Sequence, residues 1–304
     1  MNTLKNRYLS LDVFRGMDVA LMIIVNSPGN GDTSFGILKH AVWNGFTLTD
    51  LVFPTFLFVV GNAMSFSMKK YQNVASSEFL KKVFKRFAII FLLGFLMYWF
   101  PFFENGSLKP IAETRIFGVL QRIALCYLFA SILLHYFKTK SVLIFSAIAL
   151  IGYHIILMVF GDLSLTGNAV LKLDKFIIGA DHMYHGNGGV AFDPEGLLST
   201  LPAIVNVIAG FFTGKFIQKN GQNFETIAKL IMVSGLLIIA GFAWDLTFPF
   251  NKKLWSSSFV LLTIGIDIFI ISILIYLLDM SKPGKWTYFF EVFGRNTLFI
   301  YLLS

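Results

Sequence analysis

Charge is what this sequence has least of. Only 14% of its 304 residues are Asp, Glu, Lys or Arg, against about 25% in a soluble globular domain, and 56% are hydrophobic. That balance excludes an ordinary soluble domain and points to an integral membrane protein. Cysteine is nearly absent too: Cys126 stands alone in an apolar stretch, which rules out an internal disulfide and a cysteine-based metal site. It is expected to pack as a small apolar residue. No glycine-rich phosphate loop occurs. No small-residue cleavage site accompanies the first apolar stretch, which keeps Asp12 and Arg15 inside it, so the first span is expected to stay in the mature protein. The formal charge of +8 would suggest nucleic acid if it were clustered, but in a membrane protein excess Lys and Arg record orientation. No nucleic-acid partner is expected.

What the chain has instead is long apolar runs. About 20 mostly apolar residues span a hydrocarbon core, and that ruler predicts an all-α, polytopic transmembrane helix bundle, a single domain over residues 1–304. Nine spans are expected, at 11–27, 50–68, 84–103, 115–137, 141–160, 196–217, 227–248, 256–278 and 287–304. With the N-terminus cytoplasmic, fifteen Lys and Arg fall in loops on the inner side and seven in the longer loops of the outer side, which agrees with the positive-inside rule. His40, the loop 161–195 and the segment around Asn251 then share the outer side. The last apolar piece, Thr297 to Leu303, is too short to cross, and a chain stopping at that depth leaves its terminal carbonyls unsatisfied. Truncation at the C-terminus is therefore expected.

Ions inside spans are expensive, about 2.5 to 3.5 kcal/mol each at the bilayer centre. Here they are Asp12, Arg15, Asp18, Arg122, Asp245, Asp267 and Arg295. Asp12 and Arg15 lie three apart and suit a local ion pair, while Asp18 and Asp267 suit interhelical hydrogen bonding. Arg122 needs a carboxylate, a phosphate or water. His154, alone in an apolar helix, reads as a packing residue. His182 and His185 lack a third ligand at metal-binding spacing, so no metal is expected. Asp193 and Glu195 at a helix start suit capping, and Lys252, Lys253 and Trp255 suit interfacial anchoring.

The most informative stretch is LKHAVWNGFTLTDLVFPTFLFVVG, Leu38 to Gly61, which carries His40, Trp43, Asn44 and Asp50 into an apolar span. With SLDVFRG, IIVNSPG, RIFGVLQRIALCYL, DHMY, FDPEGLLSTLPAIVNVIAG, NKKLWSSSFVLLT and GRNTLFIY, it resembles the heparan-α-glucosaminide N-acetyltransferase family and its bacterial relatives, from the first span to the last. The resemblance implies transfer of an acetyl, or another short acyl group, from cytoplasmic acetyl-CoA to an amino sugar or related glycan acceptor on the far side of the membrane. His40 occupies the position of the family's implicated histidine, as base or transient acetyl carrier. Asn26 and Asn44 are then expected as oxyanion or thioester donors and Asp50 as the group orienting the imidazole, although Asp50 is equally suited to capping its helix. Arg15, Arg122, Lys252 and Lys253 are the cations expected to hold acetyl-CoA. His182, Asp193, Glu195, Asn251 and Trp255 are expected to form a mouth for the sugar. A bacterial inner membrane is implied, and a homodimer is left open.

Two readings compete. A secondary transporter would use Asp18, Asp245 and Asp267 as proton sites, but no internal repeat of the kind common in transporters is evident. A structural or assembly partner would respond to neither CoA nor sugars.

Overall fold

The computed structural model describes residues 8–27, 35–71, 74–104, 106–186, 189–281 and 284–303. Its helices are α1 (Leu9–Asn26), α2 (Leu48–Ser67), α3 (Ser76–Trp99), α4 (Val119–Tyr136), α5 (Thr139–Phe160), α6 (Ala169–Ile178), α7 (Thr200–Asn220), α8 (Phe224–Asp245), α9 (Ser257–Leu274), α10 (Thr287–Arg295) and α11 (Thr297–Leu303). A two-strand antiparallel hairpin, β1 (Phe103–Glu104) with β2 (Ser107–Leu108), follows α3.

Among the described residues six helices are long and apolar enough to cross a membrane: α2, α4, α5, α7, α8 and α9. They coincide with six of the nine expected spans. The other three differ for identifiable reasons. Asp12, Arg15 and Asp18 all fall within α1, and the apolar part of α3 begins only after Lys82, Lys85 and Arg86. The stretch 287–304 is divided into α10 and α11 where Asn296 leaves helical geometry at φ -114, ψ 26.

α2 and α7 form the centre. A Cβ on Gly61 would lie 1.8 Å from the Val207 carbonyl oxygen, and one on Gly210 would lie 1.8 Å from that of Phe58. The two backbones therefore touch, as small residues permit in membrane helices. A second contact of this kind joins α1 to α10, with Gly16 against the Phe290 carbonyl and Gly294 against that of Asp12. Lipid offers no hydrophobic drive for helix association, so packing and hydrogen bonds hold the bundle, at roughly 1 kcal/mol per bond. Thr55 of α2 donates to Asp267 of α9 at 2.6 Å, Asn206 of α7 to Thr263 of α9 at 3.2 Å, and Ser234 of α8 to the Gly265 carbonyl of α9 at 2.7 Å. α5 and α8 are peripheral. α5 buries one stripe, Val142, Ser146, Ala149, Leu150, Tyr153 and Leu157, and turns the rest outward.

The expected loop 161–195 contains a helix. Asn168 caps α6 by accepting from the Leu171 N–H at 2.8 Å, and Gly179, at φ 79, ends it. α6 brings Asp174, which is fully buried, to the Leu197 N–H at 2.9 Å. Burial pushes the Asp174 carboxyl up to about 7 against that hydrogen bond. His154 accepts from Trp244 Nε1 at 3.1 Å and stacks on Phe248 at 4.4 Å, which is a packing role. Cys126 is free and buried.

Candidate active site

The site begins with the start of α2. Thr47 and Asp50 form a capping box, in which each side chain engages the other's backbone N–H. The Asp50 carboxylate, 1% exposed, does more than cap. Its Oδ2 accepts from the N–H groups of Ala41 at 3.2 Å and Thr47 at 3.1 Å and from Thr47 Oγ1 at 3.0 Å. Its Oδ1 lies 2.7 Å from His40 Nδ1. One buried carboxylate thus fixes the loop, starts the helix and holds the imidazole, and the two readings of Asp50 are both physically present. A carboxylate can only accept, so Nδ1 carries the hydrogen and Nε2 keeps its lone pair. The His40 side chain remains 48% exposed, open to a reacting group.

A second loop, between α8 and α9, closes over this one. The Gly45 N–H donates to the Phe250 carbonyl at 2.8 Å, Asn251 Nδ2 to Asn44 Oδ1 at 3.0 Å, and Lys253 Nζ to the Val42 carbonyl at 2.8 Å. Trp43 packs edge-on against Phe192 and donates Nε1 to the Leu163 carbonyl at 2.8 Å. These bonds carry Lys252 to His40, with Nζ 3.2 Å from Nδ1 and 3.3 Å from Nε2. Burial holds the Lys252 ammonium below the ordinary lysine range; Glu195 and Asp50 oppose the shift, while Lys253 and Arg122 add to it.

The loop's geometry depends on Trp255, which sits at φ 55, a left-handed conformation that costs a bulky residue about 1 kcal/mol or more. Its ring packs edge-on against Phe53 at 5.1 Å and Phe259 at 5.6 Å, and its Nε1 donates to Asn206 Oδ1 at 3.1 Å. Trp255 and Asn251 are each 1% exposed. The structure places both beneath the surface of the mouth.

Arg115 supplies the third side. It donates Nε to Asp193 Oδ2 at 3.0 Å and Nη2 to Asp193 Oδ1 and Glu195 Oε2, each at 2.6 Å, and lies between the Tyr98 and Tyr184 rings, 4.9 Å from each. Burial works against its charge, but the bonds and charges of Asp193 and Glu195 prevail and raise its pKa. Asp193 and Glu195 are thereby ion-paired, which their capping pattern did not reveal. Arg122, fully buried, reaches the Gly196 carbonyl at 3.0 Å and Ser199 Oγ and stacks over Trp255 at 4.9 Å. His182 Nδ1 meets the Thr114 carbonyl at 2.9 Å.

A cavity of about 190 Å3 joins part of this set. His40, Asn26, Lys252 and Glu195 line it, with Thr49, Phe53 and Tyr301 among the other walls. Asp50 stands behind His40, and Asn44, Lys253 and Asn251 belong to the clasp between loops. Arg15 lines a different cavity, of about 260 Å3, beside Arg86 and Ser67. Phe56 and Ile123 line both cavities, so the two are neighbours across those side chains. Sequence reasoning missed Thr47, Tyr301 and Arg86. Thr47 was legible from its spacing to Asp50, whereas Tyr301 and Arg86 depend on helix packing.

A sequence model described as heparan-alpha-glucosaminide N-acetyltransferase, catalytic, matches residues 7–248. The human protein named heparan-alpha-glucosaminide N-acetyltransferase is 28% identical over 369 aligned positions, which take in 99% of this chain and 53% of that protein. The mouse protein of the same name is 28% identical over 363 positions, 98% of this chain and 53% of its own length. The chain spans about half the length of these relatives. With the family match covering most of the chain, including the loop that carries His40 and Asp50, this protein belongs to the heparan-α-glucosaminide N-acetyltransferase family.

Proposed function

We propose that the protein transfers an acetyl or other short acyl group from acetyl-CoA, taken from one side of the membrane, to the amino group of an amino sugar or related glycan on the other. The observation that carries this reading is His40, held by Asp50 on the wall of one cavity, beside a neighbouring cavity that shares Phe56 and Ile123 as walls and holds Arg15 and Arg86 near the other end of α2. In a bacterial inner membrane with the N-terminus inside, Arg15 and Arg86 would face the cytoplasmic donor.

Acetyl-CoA supplies an activated acyl carbon. Its phosphates suit Arg15 and Arg86 on the wall of one cavity, and its narrow pantetheine arm would run past Phe56 and Ile123 toward His40. His40 acts through Nε2, which carries the lone pair in the neutral tautomer that Asp50 selects by accepting from Nδ1. As a base it takes the proton from the attacking nitrogen while the carbon–sulfur bond breaks and the thiolate leaves. As a nucleophile it carries the acetyl group briefly before the amine receives it. Lys252, 3.3 Å from Nε2, and Asn26, on the same cavity wall, are placed to stabilise the oxyanion, each donor being worth about 3 kcal/mol. Glu195 and the nearby Asp193 and His182 offer polar groups to a sugar, and Asn44, Asn251, Lys253, Trp255 and Arg122 hold the mouth in shape.

The test is the full chain in proteoliposomes with radiolabelled acetyl-CoA and a panel of glucosamine acceptors, beside His40→Ala. Labelled N-acetyl product from the parent protein and none from the variant is the expected result. Equal product from both, or none from folded parent protein with any amino sugar, refutes the reading.

A further inference from the structure

At the end of the bundle away from His40, α2, α4, α5 and α7 open around a cavity of about 700 Å3. Its polar rim is cationic: Lys69, Lys138, Lys140 and Lys215, with His135 beside them. No carboxylate lines it, and none of these lysines is ion-paired among the described residues. The inner walls are apolar, built from Met68, Leu134, Phe211 and Phe212. Behind Ser65, which lines the cavity and accepts from Gln218 Nε2 at 2.6 Å, the Asn62 amide and Gln218 Oε1 are buried without a partner among the described residues.

Phe212 also belongs to a second hollow, a groove of about 810 Å3 between α5 and α8 with α7 and α9 as its floor. Its walls are almost wholly apolar, and its one charged residue, Lys229, is paired with Glu225 at 2.6 Å. A cationic cup and an apolar trench that runs along the outward-facing helices thus lie side by side, with Phe212 as a wall of both. The cup is separate from the proposed donor route: it shares no residue with the cavities of His40 and Arg15, which share Phe56 and Ile123 with each other.

We propose that the cup and trench together hold one anionic phospholipid, its phosphate among Lys69, Lys138, Lys140 and Lys215 and an acyl chain passing Phe212 into the groove. The commitment to a lipid rests on the adjacency of the two hollows at Phe212, because a soluble phosphate compound has no use for the trench. Charge complementarity selects the head group, because four uncompensated ammonium groups favour a net negative lipid over a zwitterionic one. Each lysine near an anionic lipid surface is worth about a fivefold change in affinity.

The experiment compares the full chain in vesicles of phosphatidylcholine alone with vesicles in which part of it is replaced by phosphatidylglycerol. The parent protein should melt about 5 °C higher with phosphatidylglycerol, as expected for a site near saturation. The fourfold variant Lys69→Gln, Lys138→Gln, Lys140→Gln, Lys215→Gln should melt with the parent protein in phosphatidylcholine and lose the rise. Each single variant should weaken phosphatidylglycerol binding about fivefold, and these singles decide the matter if the fourfold variant does not fold. Pyrophosphate and adenosine 3′,5′-bisphosphate, added to phosphatidylcholine vesicles, should shift nothing. No rise in the parent protein, an equal rise in the variants, or a lysine-dependent shift with either soluble phosphate overturns the proposal. Acyl transfer is not the readout, so the outcome is independent of the proposed activity.

Discussion

Asp50→Asn separates the two roles that one carboxylate combines. Two backbone hydrogens point at Asp50 Oδ2, from the Ala41 and Thr47 N–H groups. An asparagine satisfies them only by placing its carbonyl oxygen there, which turns its NH2 toward His40 Nδ1. Nδ1 must then accept, and the imidazole hydrogen moves to Nε2. The nitrogen that faces the reaction loses its lone pair while the helix start keeps its bonds. An equivalent tautomer reversal in a serine protease triad costs about 10⁴-fold, so transfer should fall roughly 10³- to 10⁴-fold. The helix loses only the interaction of a negative charge with its N-terminus, about 0.3 to 1 kcal/mol, or a Tm decrease of about 1 to 4 °C. Initial rates of radiolabelled acetyl transfer and melting of the same purified samples give both numbers. If Asp50→Asn retains more than about a tenth of the parent rate where His40→Ala is inactive, the orienting role is refuted and the carboxylate is a cap alone.

Four further outcomes are expected. Lys252→Met should lower the transfer rate roughly 10²-fold with little change in Tm, because the cation beside Nε2 is lost; an unchanged rate removes Lys252 from the oxyanion role. Arg115→Met strands two carboxylates, Asp193 fully buried among them, and should cost about 3 to 5 kcal/mol, read as a large fall in Tm; a shift under 2 °C would contradict the ion-pair geometry. Asp174 binds its proton more tightly folded than unfolded, so between about pH 4 and 7 the folded state holds a proton that the unfolded state has released, and stability falls as pH rises through that window. The loss is at most about 4 kcal/mol, and Asp174→Asn should flatten melting temperature against pH over that range. Gly61→Ala or Gly210→Ala forces α2 from α7 and should cost about 3 kcal/mol or prevent folding; size-exclusion profiles matching the parent would show that the helices are not in backbone contact.

Fold class was legible because membrane helices write themselves as apolar runs, and six such runs are helices long and apolar enough to cross. The polar run of Arg295 and Asn296 marks where the apolar piece from Thr297 begins, but the break into α10 and α11 at Asn296 is a backbone event that hydropathy alone does not show. Within the candidate site, His40 and Asp50 lie close in sequence, and their pairing follows from ten residues of local chain. Lys252 is 212 residues from His40. Its place there depends on the Asn251 bond to Asn44 and on Trp255 in a left-handed conformation, neither of which has a sequence signature in an isolated chain. Arg122 was conspicuous for its expense, but its partners are the Gly196 carbonyl and Ser199, and composition cannot show a backbone carbonyl as a partner. The Gly210 and Gly214 pair on α7 and the Gly61 and Ser65 pair on α2 both have small-residue spacing that sequence does show, but sequence does not show that the two pairs face each other.

The two glycine seams divide the bundle mechanically. α2 is keyed to α7, and α1 to α10, through contacts that leave no slack for sliding. The hollows reaching His40 and Arg15 both lie where α1 and α11 face α2 and α4. Among the described residues, the interface of α1 and α11 with α2 and α4 carries no such glycine key at those cavities, so it is the place where side chains alone would have to give way to a bulky visitor.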